Sequence, residues 1–282
     1  MELLTSRGSL GIVRIVALAI CIGFGLAFVI ANVRSWELED AEAYWNAALR
    51  LRDGAALYVP VNDPGADELI AYRYAPWFAY VWIPLTYLPK GAVQVGWSVV
   101  LLAAVGLALL PLLRERSVAA VCLAAIVGGL LIRTASTGNV HALLVAVLVQ
   151  GAPRRSGPLW IGIAASVKFV PILYAFVYVG RREWLRAGVA VGVAALLLAP
   201  ALLHDLSAYP ADPGESLSLL SLAGPIPWLT LAVICAGVAA FAARGRYAWA
   251  AASVAVLAAI PRLQLYDATY LLVGLGRGRH DA

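Results

Sequence analysis

Long apolar runs separated by short polar connections make up most of the chain. The first run, 10–33, is interrupted only by Arg14 and is long enough to cross a bilayer as an uncleaved helix. The next full-length run is 91–113. Further runs, several of them short, follow at 117–132, 139–150, 158–168, 171–180, 185–203, 225–243, 247–261 and 265–276. The pattern predicts an all-α polytopic membrane protein with about ten transmembrane helices.

The longest polar stretch, 34–75, follows the first run and holds eight of the sixteen acidic residues. Its apolar residues at 41, 44, 45, 48 and 49 have helical spacing, which predicts an amphipathic helix on the membrane surface, ending at Gly54. A turn is predicted at 62–65. We expect residues 34–90 to form the first outer loop of a single integral membrane domain, 1–282.

A short apolar segment bounded by prolines, Pro76 to Pro89, completes this loop. Its length and its prolines predict a helix lying at the interface or half-inserted into the membrane. Four aromatic residues of the segment suit the headgroup level: Trp77, Tyr80, Trp82 and Tyr87.

Composition supports a membrane protein and excludes other classes. The chain is 62% hydrophobic and 13% charged, against about 25% charged residues in soluble domains, which excludes a soluble enzyme, a disordered chain and a disulfide-rich module. The basic residues are scattered and form no stripe, so we expect no nucleic-acid partner. There is no CxxC motif, and His141, His204 and His280 are far apart in the sequence, so no metal site is predicted.

Arginine placement predicts the topology. The short basic connections all fall in the cytoplasm, together with the N-terminus, if the stretch between Arg155 and Arg181 crosses twice with a break at Pro171. Lys168 then lies at the outer tip of this hairpin. These connections hold Arg114 and Arg116, Arg154 and Arg155, Arg181, Arg182 and Arg186, Arg244 and Arg246, and Arg277 and Arg279.

The first outer loop holds the first candidates for chemistry. Asp40, at the start of the surface helix, is either a helix N-cap or a general base. Three nearby carboxylates are alternatives for the base: Glu37, Glu39 and Glu42. Arg73, between Tyr72 and Tyr74, belongs either to an interface anchor or to a site that stacks a sugar and pairs with a phosphate.

Later candidates lie at the predicted outer ends of helices. Asn139 opens an apolar helix and can act as its cap. Lys168 is an ionisable residue in an apolar stretch, so it either binds a phosphate or snorkels to the interface. Asp267 is close to an apolar run and needs a partner, for which Arg262 and Lys168 are the candidates. An outer face with carboxylates, cations and aromatics suits a reaction on a lipid-linked anionic substrate.

Several short motifs, in order over residues 36–270, resemble those of glycosyltransferase family 87, the polyprenol-phosphate-mannose-dependent mannosyltransferases with the GT-C membrane architecture. The family's Gly-Gln-Asn turn is Gly138-Asn139 here, and Ala75 replaces the first proline of its usual pair. The matching pieces are Asp40-x-x-x-Tyr44, Gly54-x-x-x-Tyr58, Tyr72-x-Tyr74-x-Pro76, Pro84-Leu85, Leu88-Pro89, Thr137-Gly138-Asn139-Val140, Gly162 through Lys168-x-x-Pro171, and Pro261 through Asp267.

The resemblance implies transfer of a sugar, typically mannose, from a polyprenyl monophosphate carrier to a lipid or glycan acceptor on the outer face of the bacterial plasma membrane. Asp40 would be the general base of an inverting reaction. Lys168, Arg73 and Arg262 would hold the donor phosphate, so no metal or other cofactor is expected. The residues expected to line the substrates are Tyr44, Tyr58, Tyr72, Tyr74, Asn139, Tyr266 and Asp267.

Two other classes of function fit the same composition. A transporter or lipid flippase predicts inverted repeats and polar residues at mid-membrane, and neither is evident in the sequence. A non-catalytic membrane scaffold of envelope synthesis would tolerate the loss of Asp40.

Overall fold

The computed structural model describes residues 2–59, 71–115, 117–209 and 218–275. This part of the chain is helical and contains no strand, which confirms the all-α prediction. The predicted turn at 62–65, Arg116, Arg277 and Arg279 lie outside the described residues. The helices are α1 (Glu2–Arg34), α2 (Glu39–Arg52), α3 (Pro76–Trp82), α4 (Lys90–Arg114), α5 (Val118–Ser136), α6 (His141–Gly151), α7 (Gly157–Val167), α8 (Ala175–Gly180), α9 (Trp184–Leu198), α10 (Leu219–Ala223), α11 (Pro225–Ala242) and α12 (Ala248–Ala259). Four 3-10 segments accompany them, at Ile83–Tyr87, Val170–Tyr174, Ala199–Leu203 and Leu265–Leu275.

Helix length divides the apolar elements into two groups. Within the described residues, five stretches are long and apolar enough to span a membrane: Ile15–Arg52, Lys90–Arg114, Val118–Ser136, Trp184–Leu203 and Pro225–Ala242. The first of these joins α1 to α2, and its apolar part belongs to α1. Helices α6 and α7 have 11 residues each, so each is about 16 Å long, roughly half the thickness of a hydrocarbon core. The total of about ten spans stays a prediction.

Small residues let the long helices pack closely. Helix α1 packs on α5, and α7 packs on α9. A Cβ added at Gly25 would lie 2.9 Å from the Ala125 carbonyl oxygen, and one at Gly162 would lie 2.7 Å from that of Ala190. Such close approach through small side chains is typical of helix association in membranes, where dispersion contacts replace the hydrophobic effect.

The predicted surface helix is present as α2. Its acidic first turn (Glu39, Asp40 and Glu42) and basic last turn suit the helix dipole. The helix ends before Gly54, whose φ of 75° is the left-handed conformation that glycine adopts at helix ends, so the predicted stop is confirmed. The apolar face of α2 is buried against α3.

The interface segment also begins where predicted, because α3 starts at Pro76, a residue suited to the first helical position. Tyr80 and Tyr87 are exposed, as expected for the headgroup level. The prediction for Trp82 is wrong, since its side chain is buried and its ring lies 5.1 Å from that of Trp97 in α4. The Tyr44 ring of α2, 5.3 Å away, lies against the same indole, so aromatic contacts with two helices enclose it.

The basic connections gather at one end of the bundle. Arg186 donates to the Arg154 carbonyl (2.7 Å), and Arg181 donates to the Ala243 carbonyl (2.7 Å). The connections before α7, before α9 and before α12 are therefore neighbours. At its other end α9 leads to a segment that contacts α3, where His204 bonds to Tyr80 (2.7 Å).

Candidate functional site

The start of α2 is docked on the end of α5 by two backbone hydrogen bonds. Leu38 N–H donates to the Ser136 carbonyl (3.0 Å), and Asp40 N–H donates to the Thr137 carbonyl (2.8 Å). The first N–H groups of a helix and the last carbonyls of another have no partner within their own helix, so each end satisfies the other. This docking fixes the position of Asp40 relative to the α5–α6 turn.

Gly138 permits the close contact between this turn and α2. Its φ of 78° is left-handed, and a Cβ there would lie 2.7 Å from the Ala41 Cβ. The Gly138 carbonyl also accepts a hydrogen bond from the Trp97 indole (2.8 Å). A glycine is therefore required here both by backbone conformation and by space.

Asp40 is bound through its side chain to Asn139. The Asn139 amide donates to Asp40 Oδ2 (3.1 Å), and its own oxygen accepts from the His141 backbone N–H (2.9 Å). Val140, not the predicted Asn139, holds the cap position of α6, but Asn139 binds the first N–H of the helix and also orients the carboxylate. The N-cap interpretation of Asp40 is wrong, because Leu38 occupies the cap position and the carbonyls of α5 already bind the first N–H groups of α2.

The other acidic residues of this region have different partners. Glu42 pairs with Lys90 at 2.6 Å, and both side chains are partly exposed to solvent. Glu39 lies within electrostatic range of Glu37 and Arg133. Asp40 is therefore the carboxylate of the first loop that contacts the α5–α6 turn.

Tyr44 anchors an aromatic cluster beside Asp40. Its side chain is fully buried, and its hydroxyl accepts from the Val140 backbone N–H (3.2 Å). Its ring meets the rings of Tyr74, Phe78 and Trp82 edge-on at 5.1, 5.0 and 5.3 Å. Tyr44 therefore connects α2 to α3 and α6 and forms a rigid wall of the site.

Tyr58 and Tyr72 support the segment that carries Arg73. Tyr58 donates to the Tyr74 carbonyl (2.9 Å), and Tyr72 donates to the Ala75 carbonyl (2.7 Å). Burial raises the pKa of both phenols well above the usual value, so both remain neutral donors. Because both hydroxyls bind the backbone, their positions suit support of the segment better than contact with a sugar.

A second polar cluster lies where α7 ends. Lys168 follows the last residue of α7 in extended conformation, and its Nζ lies 3.4 Å from His141 Nδ1 and 5.3 Å from the centre of the Tyr266 ring. His141 Nε2 lies 2.8 Å from the Thr269 hydroxyl. We call this group, Lys168, His141, Tyr266, Asp267 and Thr269, the lysine cluster.

Of the two predicted partners of Asp267, Lys168 acts on it, and a backbone N–H that was not predicted binds it directly. Its Oδ2 accepts from the Gln264 backbone N–H (2.8 Å), and its Oδ1 lies 3.8 Å from His141 Nδ1. Lys168 acts on this buried carboxylate through its charge. Arg262 is exposed, and its charge acts on Tyr266.

Asp40 and the lysine cluster lie within electrostatic range of each other. Partial burial opposes ionisation of Asp40, whereas the Asn139 hydrogen bond and the charges of Lys168 and Arg73 favour it. Tyr266 lies within electrostatic range of Lys168, Asp267, Asp40 and Arg262. The Asp40 carboxylate therefore lies within the electrostatic range of two cations, Lys168 and Arg73.

Sequence reasoning overlooked His141 and Thr269. In the sequence, His141 is a candidate only for a metal site, and its separation along the chain from His204 and His280 argues against such a site. The signal that identified Lys168, an ionisable residue in an apolar stretch, applies equally to His141, which begins an apolar helix and is fully buried. Thr269 carries no comparable signal.

The described residues define an all-helical membrane protein in which carboxylates and cations lie close together. The family model of glycosyltransferase family 87 matches residues 72–265, and the chain belongs to this family. The match includes Arg73, Asn139, Lys168 and Arg262, whereas Asp40 precedes it.

A curated relative carries a more specific name. The chain is 33% identical over 157 residues to the polyprenol-phosphate-mannose-dependent alpha-(1-2)-phosphatidylinositol pentamannoside mannosyltransferase of Mycolicibacterium smegmatis (strain ATCC 700084 / mc(2)155). The alignment covers 51% of this chain and 38% of the relative, so the matched region is well under half of the relative's length. No solved structure matches the chain significantly.

Proposed function

We propose that the chain transfers mannose from a polyprenyl monophosphate carrier to a lipid or glycan acceptor at the outer face of the bacterial plasma membrane. The observation that carries this proposal is the Asp40 carboxylate, oriented by Asn139 and within electrostatic reach of Lys168. The name of the mycobacterial relative supports the polyprenyl phosphate donor and a glycolipid acceptor.

In this mechanism Asp40 is the general base. It removes the proton from the acceptor hydroxyl as the hydroxyl oxygen attacks the anomeric carbon of the sugar. The bond from that carbon to the phosphate oxygen breaks on the opposite side, so the configuration inverts. A positioned general base typically contributes about 10²–10⁴-fold to a rate.

The cations of the site suit the leaving phosphate. Negative charge grows on the departing oxygen, and Lys168 and Arg73 lie close enough to Asp40 for their charges to act on it. A lysine ammonium binds phosphate as a point charge, and a guanidinium can form two parallel hydrogen bonds with it. Arg262 is a third candidate, at the rim beside Tyr266. Tyr44, Tyr74, Tyr266, Asn139 and Asp267 line the region between base and cations, with Tyr58 and Tyr72 behind it.

The orientation follows from charge. Cytoplasmic loops of membrane proteins carry an excess of Lys and Arg. With the basic connections and the N-terminus in the cytoplasm, α2, α3 and the site lie at the outer face. The lipid carrier then reaches the site from the surrounding membrane.

The first test measures sugar transfer by the purified full chain in detergent. The donor is radiolabelled polyprenyl phosphomannose, offered with a membrane lipid extract. Asp40→Asn is compared with wild type and with Glu42→Gln, a matched carboxylate-to-amide control on the same helix whose side chain pairs with Lys90. We expect wild type and Glu42→Gln to label a product and Asp40→Asn to lose at least about 100-fold in rate.

Each outcome bears on a separate part of the proposal. If Asp40→Asn transfers mannose at the wild-type rate, Asp40 is not the base, but the assignment of the donor stands. Transfer from a different polyprenyl phosphosugar, with none from the mannose donor, would change the sugar and keep the reaction. A product with retained anomeric configuration would contradict the single displacement.

A further inference from the structure

His141 lies at the centre of the lysine cluster, and both of its ring nitrogens have partners. Nε2 is 2.8 Å from the Thr269 hydroxyl, and Nδ1 is 3.4 Å from Lys168 Nζ. The ring is fully buried, with the rings of Tyr266 and Tyr270 edge-on to it at 4.9 and 4.8 Å. The imidazole is therefore held in a fixed orientation.

The partners determine which nitrogen carries the proton. The Thr269 hydroxyl donates its own hydrogen to the Tyr266 carbonyl (2.7 Å), so toward His141 it can only accept. His141 Nε2 must then be the donor to Thr269. In the neutral ring this leaves Nδ1 as an acceptor, which matches the ammonium donor that faces it.

A neutral acceptor suits a lysine that must bind an anion. If a carboxylate were its nearest partner, that carboxylate would compete with the incoming phosphate. Asp267 is the neighbouring carboxylate, and its charge interacts with Lys168. Its Oδ2, however, accepts from the Gln264 N–H, and the atom within 3.4 Å of Lys168 Nζ is the neutral His141 Nδ1. A protonated ring would place a second positive charge beside Lys168.

We propose that His141 is a positioning residue that orients Lys168 toward the donor phosphate, and that Thr269 sets the tautomer required for it. The inference rests on the proposed function, because it assigns the anion at Lys168 to the phosphate of the lipid donor. His141 itself touches neither sugar nor acceptor in this arrangement.

The variants test the contributions of the two His141 ring nitrogens separately. His141→Leu removes both contacts, whereas His141→Asn places an amide oxygen near the position of Nδ1 and can still accept from Lys168. Thr269→Val removes the hydroxyl that selects the tautomer, and Thr269→Ser restores it. His204→Leu is the matched histidine control, since His204 is remote in the sequence and bonds to Tyr80.

The kinetic result expected is a change in the use of the donor. A hydrogen bond to a charged group corresponds to about tenfold or more in an equilibrium constant. We therefore expect His141→Leu to raise the donor KM about tenfold while the acceptor KM stays unchanged, and Thr269→Val to act in the same direction. His141→Asn and Thr269→Ser should each recover most of the loss. Thermal unfolding of every variant shows whether it is folded.

Two readouts are independent of turnover. Binding of a short-chain polyprenyl monophosphate should weaken about tenfold in His141→Leu and in Lys168→Met, and should recover in His141→Asn. Nitrogen NMR of protein labelled at histidine, assigned by the signal lost in His141→Asn, should show a neutral His141 ring with its proton on Nε2.

These readouts distinguish failure of the inference from failure of the proposed function. Wild type that binds the lipid phosphate with this pattern but transfers no sugar would support His141 and contradict the transferase proposal. Folded His141→Leu with wild-type donor KM and lipid phosphate binding would overturn the inference. A proton on Nδ1, or a charged ring, would overturn it as well.

Discussion

Replacing Gly138 by alanine tests whether the contact between α2 and the α5–α6 turn builds the site. The substitution adds one methyl group at a residue with φ of 78°. That methyl would lie 2.7 Å from the Ala41 Cβ and 2.9 Å from the Ala41 backbone nitrogen. The second atom belongs to the backbone of α2, so a change of side-chain rotamer cannot relieve the contact.

Both effects of the substitution can be given a size. An L-residue in the left-handed region costs about 1–2 kcal/mol, and overpacking of a dense contact costs about 1–3 kcal/mol. Together they predict a loss of about 2–5 kcal/mol if the turn keeps its place. If the turn moves instead, the Asp40–Thr137 and Asp40–Asn139 hydrogen bonds lengthen.

Thermal unfolding in detergent measures the loss of stability if the turn stays in place. The rate of sugar transfer measures the displacement of Asp40 if the turn moves. We expect Gly138→Ala to lower the Tm, or to lower the rate by up to about 100-fold, the effect of misplacing a reacting group by about 1 Å. Gly96→Ala in α4 is the control, because a Cβ there meets no atom within 4 Å. Gly138→Asn separates the causes, since asparagine tolerates the left-handed region but still carries the Cβ. A Gly138→Ala protein with the Tm and rate of the control would refute the reasoning.

Two further predictions follow from other contacts. Tyr44→Phe removes the hydroxyl that accepts from the Val140 N–H, so a buried donor is left unpaired and stability should fall by about 1–3 kcal/mol in thermal unfolding; an unchanged Tm would contradict this. In a chain freed of its three native cysteines, Phe169→Cys, at an exposed residue beside Lys168, should react with an impermeant maleimide from outside intact cells, and Arg155→Cys only after permeabilisation. The reverse labelling would invert the proposed orientation.

Much of the fold could be predicted from the sequence, because membrane helices are defined by local composition. A helix in lipid must satisfy its own backbone hydrogen bonds, so each apolar run had to be helical whatever it packs against. Helices α4, α5 and α11 begin and end within a few residues of the predicted runs. Residues that begin or end helices also act locally: Gly54 follows the end of α2, and Pro76 is the first residue of α3.

Tertiary packing decided what the sequence left open. Asp40 was predicted as either a cap or a base, and the first option is removed because α2 already begins at Glu39, with Leu38 at the cap position. Trp82 has the side chain of an interface residue, but packing against Tyr44 of α2 and Trp97 of α4 buries it. Such outcomes depend on which helices are neighbours, and that information is spread over the whole chain.

The site shows the same division most clearly. The sequence by itself determined the residues with unusual chemistry for a membrane, including Asp40, Lys168 and Asp267, because a charge in an apolar run is visible without any structure. It could not determine that His141 and Thr269 join Lys168, since these residues come from three separate elements: α6, the final 3-10 segment and the end of α7. A hydrogen-bonded network is a property of distances and angles between elements, and only the packed bundle defines them.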